Sequence, residues 1–256
     1  MGEYRISEKS VELRIVGCGD AFGSGGRFQT CFLVHDSYGC FLIDFGASSL
    51  VALNAQNINP SIVDLIILSH LHGDHYGALP NLLLQREYLD AAKTPLTIAG
   101  PPGFPSRLQQ LADAMFPGAW RDHWSFSLDL IELEPGRETT VVGRNIKTVP
   151  VTHYAGPEPS TAMRISTSGK VIAYSGDTGW NECLVEISQD SDVFLCDCND
   201  RHDELFEGHL SYETLRKHRD QIYTKRLILT HLGPHMIGQQ VGPDIEVAFD
   251  GQVVPL

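Results

Sequence analysis

The chain has 256 residues, 42% of them hydrophobic and 20% charged, which is long and apolar enough to bury a sizeable core and argues against disorder. Its 19 basic and 32 acidic side chains give a formal net charge of −13, which opposes a surface built to hold nucleic-acid backbone by counterion release. No apolar run approaches the roughly 18 residues of a membrane span, and the opening MGEYRISEKSVELRIV shows no signal-peptide order. Six scattered cysteines do not form a disulfide framework in a chain this large, so a reduced cytoplasmic setting is expected.

Short stretches rich in β-branched and aromatic residues predict strands at 11–16, 31–35, 40–45, 63–68, 96–99, 141–149, 161–166, 170–174, 192–196, 226–229 and 245–249. Asp36-Ser37-Tyr38-Gly39 predicts a hairpin between the second and third. Helical patterning falls at 79–91, 106–116, 182–188 and 212–223. The Pro/Gly clusters at 100–105 and 156–159 lack the composition shift of a linker, so 1–256 reads as a single domain. Two batches of strands, each followed by helices, predict an α/β sandwich of two sheets covered by helices.

Several features have ordinary explanations. Gly17-Cys18-Gly19-Asp20-Ala21-Phe22-Gly23 opposes a dinucleotide fingerprint, because Phe22 stands where the third glycine belongs. It reads instead as a loop whose small residues let backbone approach a site, with Arg27 a solvated loop cation. Cys196 and Cys198 flank Asp197 on a strand and are expected to be buried. Trp120, Trp124 and Phe126 are expected in the core or at a dimer contact rather than as a cap over a cleft. His35, His123, His202, His218 and His235 are read as surface or packing residues.

The informative segment is Ser69-His70-Leu71-His72-Gly73-Asp74-His75, which follows an apolar strand. Side chains two apart in extended chain share a side, so His70 and His72 can grip one ion. Gly73 allows a sharp turn that sends Asp74 and His75 toward a second. Asp44, His153, Asp177 and His231 each sit just beyond an apolar strand, where a sheet presents functional groups from its edge.

These residues, in this order, resemble the five motifs of the metallo-β-lactamase-fold hydrolases, and the resemblance extends from Gly17 to His231. It implies a four-layer αββα sandwich, two mixed sheets flanked by helices, with a two-metal site at one edge. His70, His72 and His153 would hold one ion, Asp74, His75 and His231 the other, and Asp177 would bridge them. Asp44 would orient the histidine loop by hydrogen bonding. An aspartate rather than a cysteine at the bridging position points away from true β-lactamases, toward branches that hydrolyse phosphodiesters, thioesters or lactones. The mixed imidazole and carboxylate set suits zinc first, and also manganese or iron. Two such ions would acidify the attacking water as a shared hydroxide, which Asp74 could help hold.

Asp197, followed by Gly208-His209-Leu210-Ser211, resembles the paired acidic and histidine motifs of tRNase Z and related phosphodiesterases, although the aspartate and Leu-Ser depart from the usual glutamate and Ser-Thr. In that reading His209, steadied by Asp197, is a general acid or a clamp on phosphoryl oxygens. Only 23 residues separate His153 from Asp177, which leaves no room for the long tRNA-grasping arm tRNase Z usually carries there. The expected activity is therefore hydrolysis of a small or cyclic phosphodiester. tRNA 3′-end processing and lactone or thioester hydrolysis are the alternatives. The expected partner is a small (phospho)ester, with nucleic acid disfavoured, no membrane association, and a homodimer as the commonest assembly.

Overall fold

The computed structural model describes residues 11–91, 93–120, 123–202 and 207–256. From the N-terminus run β1 (Glu12–Gly17), β2 (Cys31–Asp36), β3 (Gly39–Ile43), α1 (Ser49–Ala55), β4 (Val63–Ile67), α2 (Gly73–Tyr76), α3 (Leu79–Tyr88), β5 (Leu96–Gly100), α4 (Phe104–Met115) and β6 (Leu128–Glu132). They are followed by β7 (Glu138–Val141), β8 (Arg144–Pro150), β9 (Thr161–Thr167), β10 (Lys170–Tyr174), α5 (Cys183–Ser188), β11 (Val193–Asp197), α6 (Tyr212–His218), β12 (Leu227–Thr230), β13 (Glu246–Val247) and β14 (Val253–Pro255). One sheet has the order β14-β1-β2-β3-β4-β5-β6 and the other β13-β12-β11-β10-β9-β8-β7.

Both sheets follow one plan. β1, β2 and β3 pair antiparallel, and β3 to β6 pair parallel through helical crossovers. In the second sheet β7 to β10 pair antiparallel and β10 to β13 parallel. Sheets of parallel strands need helices on their outer faces, and the alternation of side chains shows how the layers close. Leu13, Ile15, Phe41, Ile43, Leu65 and Ile67 face the second sheet, in one cluster with Met163, Ile165, Ile172 and Leu195. The intervening Val16, Leu42 and Ile66 belong to a second cluster with Leu53 of α1, Leu82 and Leu83 of α3 and Leu108 of α4. A one-residue slip in any of these strands would exchange the two sets. Trp120 and Trp124 pack against the outer cluster, and Phe126 is buried in it, so this aromatic stretch covers the core as expected. Its Arg121 and Asp122 lie outside the described residues.

The predicted strand 141–149 is two strands. Val142 and Gly143 take left-handed φ of 45° and 78°, and this two-residue turn folds β7 back on β8. α3 stops at Tyr88, short of the predicted residue 91, and the 212–223 pattern gives α6 and then a separate 3-10 turn at Arg219–Gln221. Ser211 caps α6 by accepting a hydrogen bond from the Thr214 N–H at 3.0 Å.

Arg144, fully buried at the start of β8, ties the two sheets together. Its Nε and Nη2 donate to the Asp36 carboxylate at 2.9 Å each, and its Nη1 donates to Asp64. Thr167 donates to the same Asp36 at 2.6 Å. Removing one member of a buried ion pair leaves an uncompensated charge, at a cost of about 3–5 kcal/mol. Arg144→Ala is therefore expected to lose that much stability in urea unfolding, and an unchanged midpoint would show that Arg144 is not what joins the sheets there.

Candidate active site

The strands deliver the polar residues to one edge, at the carboxyl ends of the parallel strands, where open α/β sheets usually place ligands. Asp44 follows β3 and His70 follows β4, with His72 at the entry to α2 and Asp74 and His75 within it. His153 follows β8, Asp177 follows β10, Asp197 ends β11 and His231 follows β12.

These residues converge in two groups whose candidate ligand atoms all lie within 4.8 Å of one another, His70 with His72 and His153, and Asp74 with His75, Asp177 and His231. A third group within the same distance joins His153, Asp177 and His209. Asp177 Oδ2 lies 3.1 Å from His75 Nε2 and 3.4 Å from His231 Nε2 on one side, and 3.7 Å from His70 Nε2 and 3.9 Å from His153 Nε2 on the other. It is thus placed between the groups, as a bridging carboxylate must be.

Hydrogen bonds direct the imidazoles of His153, His75, His231 and His70. His153 Nδ1 donates to the Gly208 carbonyl at 2.8 Å and His75 Nδ1 to Asp44 Oδ2 at 2.8 Å, so Nε2 of both rings faces the cluster. His231 Nδ1 contacts Thr30 Oγ1 at 3.3 Å and His70 Nδ1 contacts Ser69 Oγ at 3.0 Å. His72 presents Nδ1, which lies 3.0 Å from His153 Nε2. Asp44 is fully buried and serves several partners, accepting from Ser69 N–H and Oγ at 2.7 Å each and from Tyr174 Oη at 3.0 Å. Asp44 and His231 carry left-handed φ of 56° and 53°, a conformation unfavourable for side-chain-bearing residues and typical of functional positions. Gly176 has φ 58°, and a Cβ there would meet the Thr161 carbonyl oxygen at 2.5 Å, so glycine is required beside Asp177.

Burial holds the His70 imidazole well below its ordinary value and lowers those of His72 and His153, which keeps them neutral and able to ligate. Burial works against ionisation of Asp74 too, but the neighbouring His75 outweighs it and brings Asp74 down to about 2. Buried polar atoms are nearly always satisfied, yet His70 Nε2, His75 Nε2 and Asp177 Oδ1 lack hydrogen-bond partners of acceptable geometry among the described residues. Unsatisfied imidazole and carboxylate atoms aimed at a common centre are what divalent cations require, so the residues fit the metal ions that the sequence implies.

His209 stands at the rim of this cluster. Its ring stacks on His231 at 5.0 Å and meets His153 edge-on at 4.9 Å. Its Nδ1 donates to Asp197 Oδ2 at 2.9 Å, and the buried Asp197 also accepts the Thr178 N–H at 3.1 Å, beside Asp177. Burial alone would lower the His209 pKa, but the Asp197 carboxylate reverses this and raises it to about 9. A cleft of about 700 Å³ opens beside His209. Phe22, Trp180, Asn199, Asp200 and His235 line it, and none of its described lining residues is lysine or arginine. His202 and His235, expected at the surface or in packing, stand on this wall, paired with Glu213 at 2.8 Å and Asp200 at 2.9 Å. Arg27 is not among the lining residues. The sequence marked the loop that carries Phe22 as one approaching a site, but no signal marked Asp200 or His235, which only the fold brings to it.

Fold and site together define the class, a metallo-hydrolase of the metallo-β-lactamase fold. The solved structure of YhfI from Bacillus subtilis superposes with a TM-score of 0.77 at 20% identity, covering 96% of this chain and 99% of that one. Human tRNase Z, short form, also reaches 0.77, at 19% identity over 95% of this chain and 98% of that one. Residues 11–249 match the model of the family described as Anti-Pycsar protein Apyc1, and the chain belongs to that family. An uncharacterised protein of Mycobacterium tuberculosis is 30% identical over 249 residues, 95% of this chain and 89% of that protein. No helix among the described residues is long and apolar enough to cross a membrane.

Asp177→Ala is expected to lose bound transition metal after loading and desalting, measured by inductively coupled plasma mass spectrometry, with circular dichroism checking the fold. Asp44→Ala should weaken metal affinity about 10–100-fold through misdirection of His75 and Ser69. Wild-type metal content in Asp177→Ala would contradict the bridging position.

Proposed function

We propose that the protein is a metal-dependent phosphodiesterase acting on a small or cyclic phosphodiester. The observation that carries this reading is His209, held by Asp197 at the edge of the paired ligand groups and open to the cleft. Divalent ions held by His70, His72 and His153 and by Asp74, His75 and His231, with Asp177 between, would activate a water and polarise phosphoryl oxygens.

The remaining roles belong to the chain. Asp74, ionised and 3.3 Å from His75 Nε2, is an acceptor that can orient the attacking water. His209 has its Nδ1–H committed to Asp197, which leaves Nε2 as the atom that meets the substrate. As an imidazolium it hydrogen-bonds a phosphoryl oxygen, or gives its Nε2 proton to the departing alkoxide. Asp197 keeps it charged and fixed.

Structural relatives support phosphorus chemistry. They include yeast PDE1 and a diphosphatase of the PhnP family, alongside the tRNase Z already described. Two features favour a small substrate over tRNA. The interval between His153 and Asp177 is filled by the hairpin β9–β10, with no inserted arm. The described cleft wall has no lysine or arginine for an extended backbone.

The test is a screen of the zinc- or manganese-loaded protein against bis(p-nitrophenyl) phosphate, cyclic nucleotides, pre-tRNA, a homoserine lactone and a thioester. Turnover of bis(p-nitrophenyl) phosphate and the cyclic nucleotides is expected, and turnover of pre-tRNA alone, or of the lactone or thioester alone, would overturn the proposal. His209→Ala should keep its metals and lose about 10²–10⁴-fold in kcat on substrates with alkoxide leaving groups. It should change little with p-nitrophenolate, which needs no proton. Unchanged rates on both would remove His209 from the mechanism.

A further inference from the structure

Asp197 uses its two carboxylate oxygens unequally. Oδ2 accepts from His209 Nδ1 at 2.9 Å, from the Thr178 N–H at 3.1 Å and from the Leu210 N–H at 3.4 Å. Oδ1 is buried and has no hydrogen-bond partner of acceptable geometry among the described residues. Asp197 belongs to none of the candidate ligand groups, so a metal ion does not account for this oxygen as it does for Asp177 Oδ1.

A matching donor lies one strand away. β11 and β12 run parallel, with Leu195 beside Ile228 and Asp197 beside Thr230. Paired residues of neighbouring strands share a face of the sheet, so the Thr230 side chain stands on the same face as the Asp197 carboxylate. That face lies between the two sheets, because Tyr174, in register with Leu195, sends its hydroxyl to Asp44 at the end of the first sheet. Thr230 is fully buried, and its Oγ1 also lacks a partner. Buried hydroxyls and carboxylates are nearly always satisfied, yet no direct bond joins these two. Neighbouring strands lie about 4.8 Å apart, a span that one water bridges with a hydrogen bond at each end.

Resting on the role given to His209 above, we infer that a buried water bridges Thr230 Oγ1 and Asp197 Oδ1, which makes Thr230 a positioning residue for the Asp197–His209 pair. The hydroxyl donates to the water and the water donates to Oδ1, so both atoms are satisfied and no proton is transferred. The terminal torsion of an aspartate is broad, and three donors on one oxygen leave the carboxylate plane free to turn about it. Tying Oδ1 fixes that plane, and with it the line along which His209 Nε2 meets the substrate. Small misplacements of an acting group are costly in rate.

The test pairs diffraction with kinetics. Crystals of the metal-loaded protein at atomic resolution are expected to show a water peak between the two side chains in wild type and Thr230→Ser, and none in Thr230→Val. In Thr230→Val, kcat on phosphodiesters with alkoxide leaving groups should fall about 5–10-fold relative to kcat on bis(p-nitrophenyl) phosphate, with little change in KM. Thr230→Ser should restore the wild-type ratio, and thermal unfolding checks that each variant folds. A wild-type map without this water, or equal ratios in wild type and Thr230→Val, overturns the inference and leaves the phosphodiesterase reading standing. A wild type that hydrolyses no phosphodiester overturns that reading, and the positioning role with it.

Discussion

The site depends on one buried carboxylate. Asp44, fully enclosed, orients the metal-facing ring of His75, holds Ser69 at the start of the histidine loop and takes the hydroxyl of Tyr174 from the other sheet. A carboxyl group with no access to water needs hydrogen-bond partners for its oxygens, and here each partner belongs to the machinery or to the opposite layer. The same bonds that satisfy the carboxylate therefore close the sandwich at its functional edge and direct the ligands. The left-handed backbone at Asp44 is sustained by that set of bonds.

The two sheets contribute unequally. The first supplies a compact ligand cassette, His70 to His75, in which extended chain gives way to the short helix α2. The second supplies single residues from successive strand ends, namely His153, Asp177, Asp197 and His231. Asp197 joins His209 to the Asp177 segment, because one carboxylate oxygen accepts from His209 and from the backbone beside Asp177. At a distance, Arg144 joins the layers with Asp36 and Asp64 and leaves the site edge free for chemistry.

Much of this was legible in the sequence because the chemistry is local. His70-Leu71-His72-Gly73-Asp74-His75 shows a cluster of candidate ligands through its spacing, and the single residues that join it lie directly after apolar strands. Legibility failed where the signal was weak or nonlocal. β6, Leu128–Glu132, has its side chains half-covered at best, so alternation gave no clear pattern, and β14, Val253–Pro255, is only three residues long. Strand 141–149 hid a hairpin because valine is a poor marker for the left-handed turn that Val142 and Gly143 make. The cleft was the larger omission. Phe22, Asp200 and His235 become neighbours only when the loop after β1, the segment after β11 and the turn after β12 are folded onto one edge.

The account stands on two metal positions sharing Asp177. Anomalous diffraction from crystals of the zinc- or manganese-loaded protein, collected across the metal's absorption edge, measures this directly. Two peaks are predicted for each chain, one among His70, His72 and His153 and the other among Asp74, His75 and His231, with the Asp177 carboxylate between them. No peak at this edge, or a single peak not bound by Asp177, would contradict it.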